Sequence, residues 1–396
     1  MTRRLLISAL PGEMRAAWLD GERLVDLVVQ RETGAAAPGD LYLGRIAHLD
    51  KTLDAAFVDL GLARPGLLPR GEAPGRKLVE GEALALRVTR AATGDKGVRL
   101  SARLADPPAD LQDRIRALKP PALLARGDDL LARALAAAPA LDHIVVDDPA
   151  TFAKVKRLAS SRGQTEVTLD LDPLPLFERA GVEAEIEALL GPRVELPSGG
   201  FLLVEPVTSL TAIDVNSGAH KARGGYQRTA REVNLEAAEE IPRQLRLRAL
   251  GGLMVVDFLP LTDQGARRTV VERLRAGLSQ DSEPSQVSAM SRSGLVEVTR
   301  RRSRPALHEV LTAPCGLDGS GRVKTPTTVA YEALRAARRE AATRPGARVT
   351  VRGSPSVIGA LEDSPALGTL EDRLGRALQL EADPALHDGD YQIVLD

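Results

Sequence analysis

Two apolar, β-branched runs, each closing on an aspartate, are joined by a long basic helix, and that order leaves the chain few ways to fold. The first run is Leu210-Thr-Ala-Ile-Asp214-Val-Asn216-Ser-Gly218, and the second is Gly251-Gly-Leu-Met-Val-Val-Asp257-Phe-Leu259. Both read as strands that run out into solvent at the acid. Arg228 to Leu250 reads as one amphipathic helix, so the segment predicts a βαβ unit with two parallel, neighbouring strands. Ligands of such sheets bind beyond the carboxyl ends of the strands, where both acids then lie. Like charges so close repel unless a cation sits between them, and a hard ion such as Mg2+ is the natural partner. An aspartate at a strand end is also a common helix N-cap or turn former, and either residue alone fits that plainer role. The pair, with Asn216 two residues after the first, favours a metal site.

Composition sets the outer bounds. The 396 residues allow two to four modules, and 43% hydrophobic with 27% charged residues is ordinary for a globular protein. No apolar run approaches the roughly 18 residues of a membrane span. The first residues, Met1-Thr-Arg-Arg-Leu-Leu-Ile-Ser, read as a strand rather than a signal peptide. A single cysteine, Cys315, excludes an internal disulfide framework and suits a reducing cytoplasm. The net charge of -1 predicts no nucleic-acid partner by itself. The distribution says more: Arg223, Arg228, Arg231, Arg243, Arg246 and Arg248 lie between the two aspartates, and Arg292, Arg300, Arg301, Arg302 and Arg304 follow. Those clusters predict a basic region around the site, although charge runs are also common as plain solvated faces.

Along the chain, Leu5 to Val29 predicts a small meander of strands. Asp40 to about Arg103 reads as short strands with glycine turns, the pattern of a small OB-type barrel. Leu111 to Ala137 is helical in pattern, broken at Pro120-Pro121. His143 to Asp147 predicts a strand, Pro149 to Ser160 a helix, Val167 onward a strand and Val182 to Leu190 a helix. After the βαβ unit come a helix over Arg267 to Leu278, a strand opening at Gln286, and a Gly/Pro-rich link over Thr312 to Thr327. The tail from Val329 alternates helix and strand as a small α/β domain.

The stretches Leu210 to Gly218 and Asn234 to Phe258, with Gly39-Asp-Leu-Tyr-Leu-Gly-Arg-Ile, Ala55-Ala-Phe-Val-Asp, Pro197-Ser-Gly-Gly and Ser288 to Arg302, resemble the ribonuclease E/G family over most of the chain. The resemblance implies a bacterial, cytoplasmic, Mg2+-dependent endoribonuclease (Mn2+ as a substitute) that cuts single-stranded RNA, rRNA or mRNA. It implies Asp214 and Asp257 as the metal ligands and catalytic pair, with Asn216 orienting the first carboxylate. RNA contacts are expected at Phe57, Tyr42, Arg45, Arg223, Arg292 and Arg301. The implied fold is α/β, of the multidomain α+β kind: an RNase H-like subdomain (1–34 with 104–195) interrupted by an OB-fold RNA-binding barrel (35–103). A DNase I-like catalytic subdomain (196–311), a link (312–327) and a small C-terminal domain (328–396) follow.

Three departures from the family pattern matter. The insertion between barrel and the strand near His143 is missing, along with its arginine-threonine motif, which implies loss of 5′-monophosphate sensing. The Cys-x-x-Cys zinc link is reduced to Cys315-Gly-Leu-Asp318, a poor donor set for Zn2+, so a homodimer is expected to be weaker than in zinc-linked relatives. On the barrel, Leu67 replaces a second stacking aromatic beside Phe57. Pro242 inside the long helix is expected to kink it. Two other readings stay open: a catalytically weak RNA-binding or ribosome-associated factor on this scaffold, and a metal-dependent phosphodiesterase acting on DNA or small nucleotides.

Overall fold

The computed structural model describes residues 2–31, 36, 38–90, 92, 97–104, 112, 115–127, 135, 141–160, 166–218, 225–314, 321–344 and 346–395, and elements are counted among these. The chain divides into two compact units, residues 32–138 and the remainder, 1–31 with 139–396.

The larger unit begins with β1 (Arg3–Leu10), β2 (Glu13–Asp20) and β3 (Arg23–Arg31), an antiparallel meander as its alternation predicts.

The smaller unit is a barrel of β4 (Leu41–Asp50), β5 (Ala55–Asp59), β6 (Gly66–Pro69), β7 (Ala83–Arg90) and β8 (Arg99–Ser101), with β9 (Ala122–Ala125) added outside β4. Strand β4 pairs with both β5 and β7, which closes five strands into a ring of the OB-like kind. Ile46, Ala56, Val58, Leu68, Leu84, Leu86, Val88 and Leu100 fill its interior. The helix expected over Leu111–Ala137 is overturned at Ala122–Ala125, which pairs antiparallel with Leu41–Leu43. Four Ala and Leu residues have helix propensity, but pairing with the free edge of β4 overrides it. Most of the rest of that stretch lies outside the described residues.

The larger unit resumes with β10 (His143–Val146), α1 (Pro149–Ser160) and β11 (Glu166–Leu169), which extend the first sheet in parallel as β11-β10-β1-β2-β3. Helices α2 (Leu176–Arg179) and α3 (Val182–Leu190) cover it through Phe177, Val182, Ile186 and Leu189.

A second sheet follows, from β12 (Arg193–Glu195), β13 (Phe201–Pro206), β14 (Thr211–Asn216), β15 (Gly252–Asp257), β16 (Ser285–Val287) and β17 (Leu295–Arg300), in the order β12-β13-β14-β15-β17-β16. Helix α4 (Tyr226–Leu247) is the crossover between β14 and β15, which are parallel as predicted, and α5 (Gln264–Leu278) packs beside it. The two helices cover one face of the sheet. Ile213, Val215, Met254, Val256, Val296 and Val298 point into that core. The opposite face is open, because every second residue of β14, β15 and β17 is exposed or half-buried. Helix α4 runs unbroken through Pro242, whose ring sits against Gly277 of α5: a Cβ built there would stand 2.7 Å from Pro242 Cγ.

The chain then forms α6 (Leu307–Leu311) and a ribbon of β18 (Thr312–Pro314) with β19 (Arg322–Lys324). Helix α7 (Pro326–Thr343) leads into the last sheet, β21-β20-β22, built from β20 (Val349–Gly353), β21 (Gln379–Ala382) and β22 (Tyr391–Leu395), with α8 (Pro355–Glu362) and α9 (Pro365–Leu374). Among the described residues no helix is long and apolar enough to cross a membrane.

Candidate functional site

Parallel pairing of β14 with β15 sets Asp214 directly opposite Asp257, at the carboxyl end of both strands. Neighbouring strands lie about 4.8 Å apart, so the two carboxylates share one patch. Both are exposed, and both stand on the open face, away from α4 and α5. Neither caps a helix: α4 starts after Gly225, and the cap of α5 is Asp263, whose side chain accepts from Ala266 N at 2.7 Å. The plainer reading of the acids as N-caps therefore fails.

Asn216, two residues on and thus on the same face, donates from Nδ2 to Asp214 Oδ2 at 2.7 Å. Burial and then the charge of Asp214 raise the Asp257 carboxyl above its ordinary value. That is the repulsion a bound cation would relieve. Among the described residues no cluster of three or more histidine, cysteine or acidic side chains could hold a metal. A two-carboxylate set still suits Mg2+, which keeps waters and takes substrate phosphate oxygens.

Helix α4 holds the loops around the pair. Asn234, fully buried, donates from Nδ2 to Leu259 O at 2.9 Å and accepts from Leu259 N at 3.0 Å, fixing the chain just after Asp257. Gln227 accepts from Thr262 N, and Glu236 accepts from Ser198 N and Oγ. Gly294 has φ 99° and lies against Phe258 O, so the turn carrying Arg292 presses onto the end of β15. Gly218 plays the same part for β14: a side chain there would strike Gly199 O. Sequence reading missed Asn234 and Glu236. A polar residue inside the apolar face of a helix is the available signal, because a buried amide has to find partners.

The remaining expected residues divide. Arg292 is exposed on the turn beside Asp257, and its guanidinium has no partner among the described residues. Arg301 lies away from the acids: β17 runs antiparallel to β15, Leu295 opposes Asp257, and Arg301 follows the far end of the strand. At about 3.3 Å per residue that is roughly 20 Å away, and its Nε is bound to Glu283 at 2.9 Å. Most of the expected basic region goes the same way. Arg243 binds Leu24 O, Glu240 and Glu185, Arg304 binds Asp26 and Leu27 O, and buried Arg300 pairs with Asp281. These arginines tie α4 and β17 to neighbouring elements; only Arg228 and Arg231 belong to the end of α4 nearest the acids.

On the barrel, Phe57 is half-buried on the outer face, opposite His48 and Leu67. Arg45 is exposed and donates to Gly81 O at 2.9 Å. Tyr42 corrects the expectation. It shares the inward side of β4 with Ile46 and is 4% exposed, so its ring belongs to the barrel core and offers no face to a base. Arg223, Cys315 and Asp318 lie outside the described residues.

Residues 97–303 match the ribonuclease E/G family. Ribonuclease G of Escherichia coli strain K12 is 28% identical over 489 aligned positions, covering all of both chains. Ribonuclease E of Haemophilus influenzae is 30% identical over 430 positions, covering 86% of this chain and 46% of that protein. Ribonuclease G of Haemophilus influenzae is 25% identical over 485 positions and 99% of each chain. The chain belongs to the ribonuclease E/G family. Its 396 residues against 489 aligned positions mean that the Escherichia coli relative carries residues without a counterpart here.

Proposed function

We propose that this chain is an endoribonuclease that hydrolyses single-stranded RNA in RNA processing or decay, with Mg2+ (or Mn2+) held by Asp214 and Asp257. Family membership supports the reaction class. The observation that carries the site is the in-register pair of acids on the open sheet face, one of them oriented by Asn216. A cation bound there would polarise a phosphoryl oxygen and lower the pKa of a bound water. Asn216 occupies Asp214 Oδ2, which fixes the carboxylate and leaves Oδ1 without a partner among the described residues. Arg292 offers guanidinium charge to a phosphate beside the cleaved bond.

The first sheet with its helices fits an RNase H-like subdomain, and the second sheet with α4 and α5 a DNase I-like one. The shorter chain is consistent with absence of a 5′-monophosphate sensor. Zn2+ at Cys315 and Asp318 is not part of the proposal, and a cytoplasmic monomer or weak homodimer is.

Incubating the protein with a labelled, unstructured RNA and Mg2+ tests the reading. Cleavage by wild type and its loss in Asp214→Asn and Asp257→Asn are expected. Equal cleavage by the variants sinks the assignment. RNA binding that survives a chelator, with no turnover by wild type, favours a binding-only factor on the same scaffold.

A further inference from the structure

The open face carries a second feature in line with the acids. Arg193 opposes Leu203, Leu203 opposes Asp214, and Asp214 opposes Asp257, so the four residues form one row across β12, β13, β14 and β15. Phe201, next along β13 on the same face, opposes Asn216. The Arg193 guanidinium lies 3.6 Å from the centre of the Phe201 ring, a stacked rather than glancing contact. Glu195 accepts from Arg193 Nε at 2.5 Å and from an Nη at 3.4 Å, fixing the guanidinium by its edge. The Arg193 side chain nonetheless stays 51% exposed.

A flat cation, backed by an aromatic ring and held at its rim, keeps one face free. We propose that Arg193 and Phe201 form a stacking platform for the nucleobase beside the cleaved phosphodiester, an inference that rests on the ribonuclease reading above. Two strand spacings, about 10 Å, separate Arg193 from Asp214. Arginine planes and aromatic rings both receive unstacked RNA bases, and such stacking tolerates any base because every base has a π-face. The platform therefore contributes grip and register, not sequence preference. A purely structural cover for Phe201 needs only an aliphatic stem, which lysine also supplies.

A fluorescein-labelled, unstructured oligoribonucleotide and a set carrying one abasic residue, moved stepwise across the cleavage site, test this. Binding is read by anisotropy in EDTA and cleavage by KM with Mg2+. Wild type is expected to lose roughly fivefold or more in affinity when the abasic residue falls at one position beside the cut. Arg193→Ala, Arg193→Lys and Phe201→Leu should show that loss already on intact RNA, with no further loss on the abasic strand. The proposal is overturned if these variants keep wild-type affinity for intact RNA, or keep the wild-type ratio between intact and abasic RNA. Wild type that binds but does not cut overturns the nuclease reading alone, since the abasic dependence in EDTA still decides the platform.

Discussion

Asp214 and Asp257 are exposed, yet partial burial and then the charge of the first raise the carboxyl of the second above its ordinary value. A proton and a metal ion compete for the same pair. Acidification should therefore abolish cleavage at a higher pH than for an isolated aspartate, because Asp257 takes up its proton early. Raising the Mg2+ concentration should move this acid limb to lower pH, which rate profiles at two metal concentrations will read; an acid limb indifferent to metal would dissociate the pair from the ion. Asn216 adds a second, independent prediction. Removing the group that orients a metal-binding carboxylate typically costs about 10- to 100-fold in metal affinity or activity. Asn216→Ala should show that loss with RNA binding in EDTA unchanged, and a wild-type rate would reduce the amide to decoration.

Helix α4 connects the two acid strands and also pins the loops behind them, so its packing against α5 bears on the site. Pro242 lies in its buried stripe, and the absent side chain of Gly277 makes room for that ring. Glycine to alanine in a helix normally stabilises by up to about 1 kcal/mol. Here the added methyl meets the proline ring, and overpacking of that kind costs about 1–3 kcal/mol. Gly277→Ala should therefore lower the urea midpoint, the reverse of the usual sign. On the barrel, Leu67 faces Phe57 across β5 and β6. Leu67→Phe should tighten RNA binding, by roughly fivefold if the new ring stacks one base, measured by anisotropy. The βαβ unit and the acid pair were legible because apolar runs, a 3.6-residue period and a terminal aspartate are all local signals. The arginines were not. Helix α4 has 22 residues, about 33 Å at 1.5 Å each, so residues close in sequence to Asp257 stand at the opposite end of the sheet. Nor was β9, whose pairing with β4 is settled by a neighbour distant in sequence.

Within the larger unit, the first sheet and the C-terminal α7 meet at a buried ionic cluster. Glu13, with no exposed side-chain surface, accepts from Arg15 Nε at 2.9 Å and Arg31 Nε at 2.7 Å, and also from Arg335 of α7. Arg15 continues to Glu183 of α3 at 2.9 Å, while Arg31 and Arg335 flank the ring of Tyr331, whose hydroxyl donates to Pro11 O at 2.9 Å. Burial alone would raise the Glu13 carboxyl, but the three guanidiniums outweigh it and hold it far below the carboxylate range. A carboxylate depressed on folding stabilises the native state at every pH above its unfolded pKa of about 4.3. That contribution drains away as the pH falls below 4.3 towards the folded value. Removing one partner of a buried pair costs about 3–5 kcal/mol, because the others keep their charge without compensation. Glu13→Gln should therefore be destabilised by about that amount at pH 7, read as a lower urea midpoint. The gap to wild type should narrow on acidification below about pH 4, where the unfolded wild-type chain takes up a proton that the folded Glu13 still resists. A gap that stays constant down to pH 2 would mean that the cluster acts through shape and hydrogen bonding rather than through the charge on Glu13.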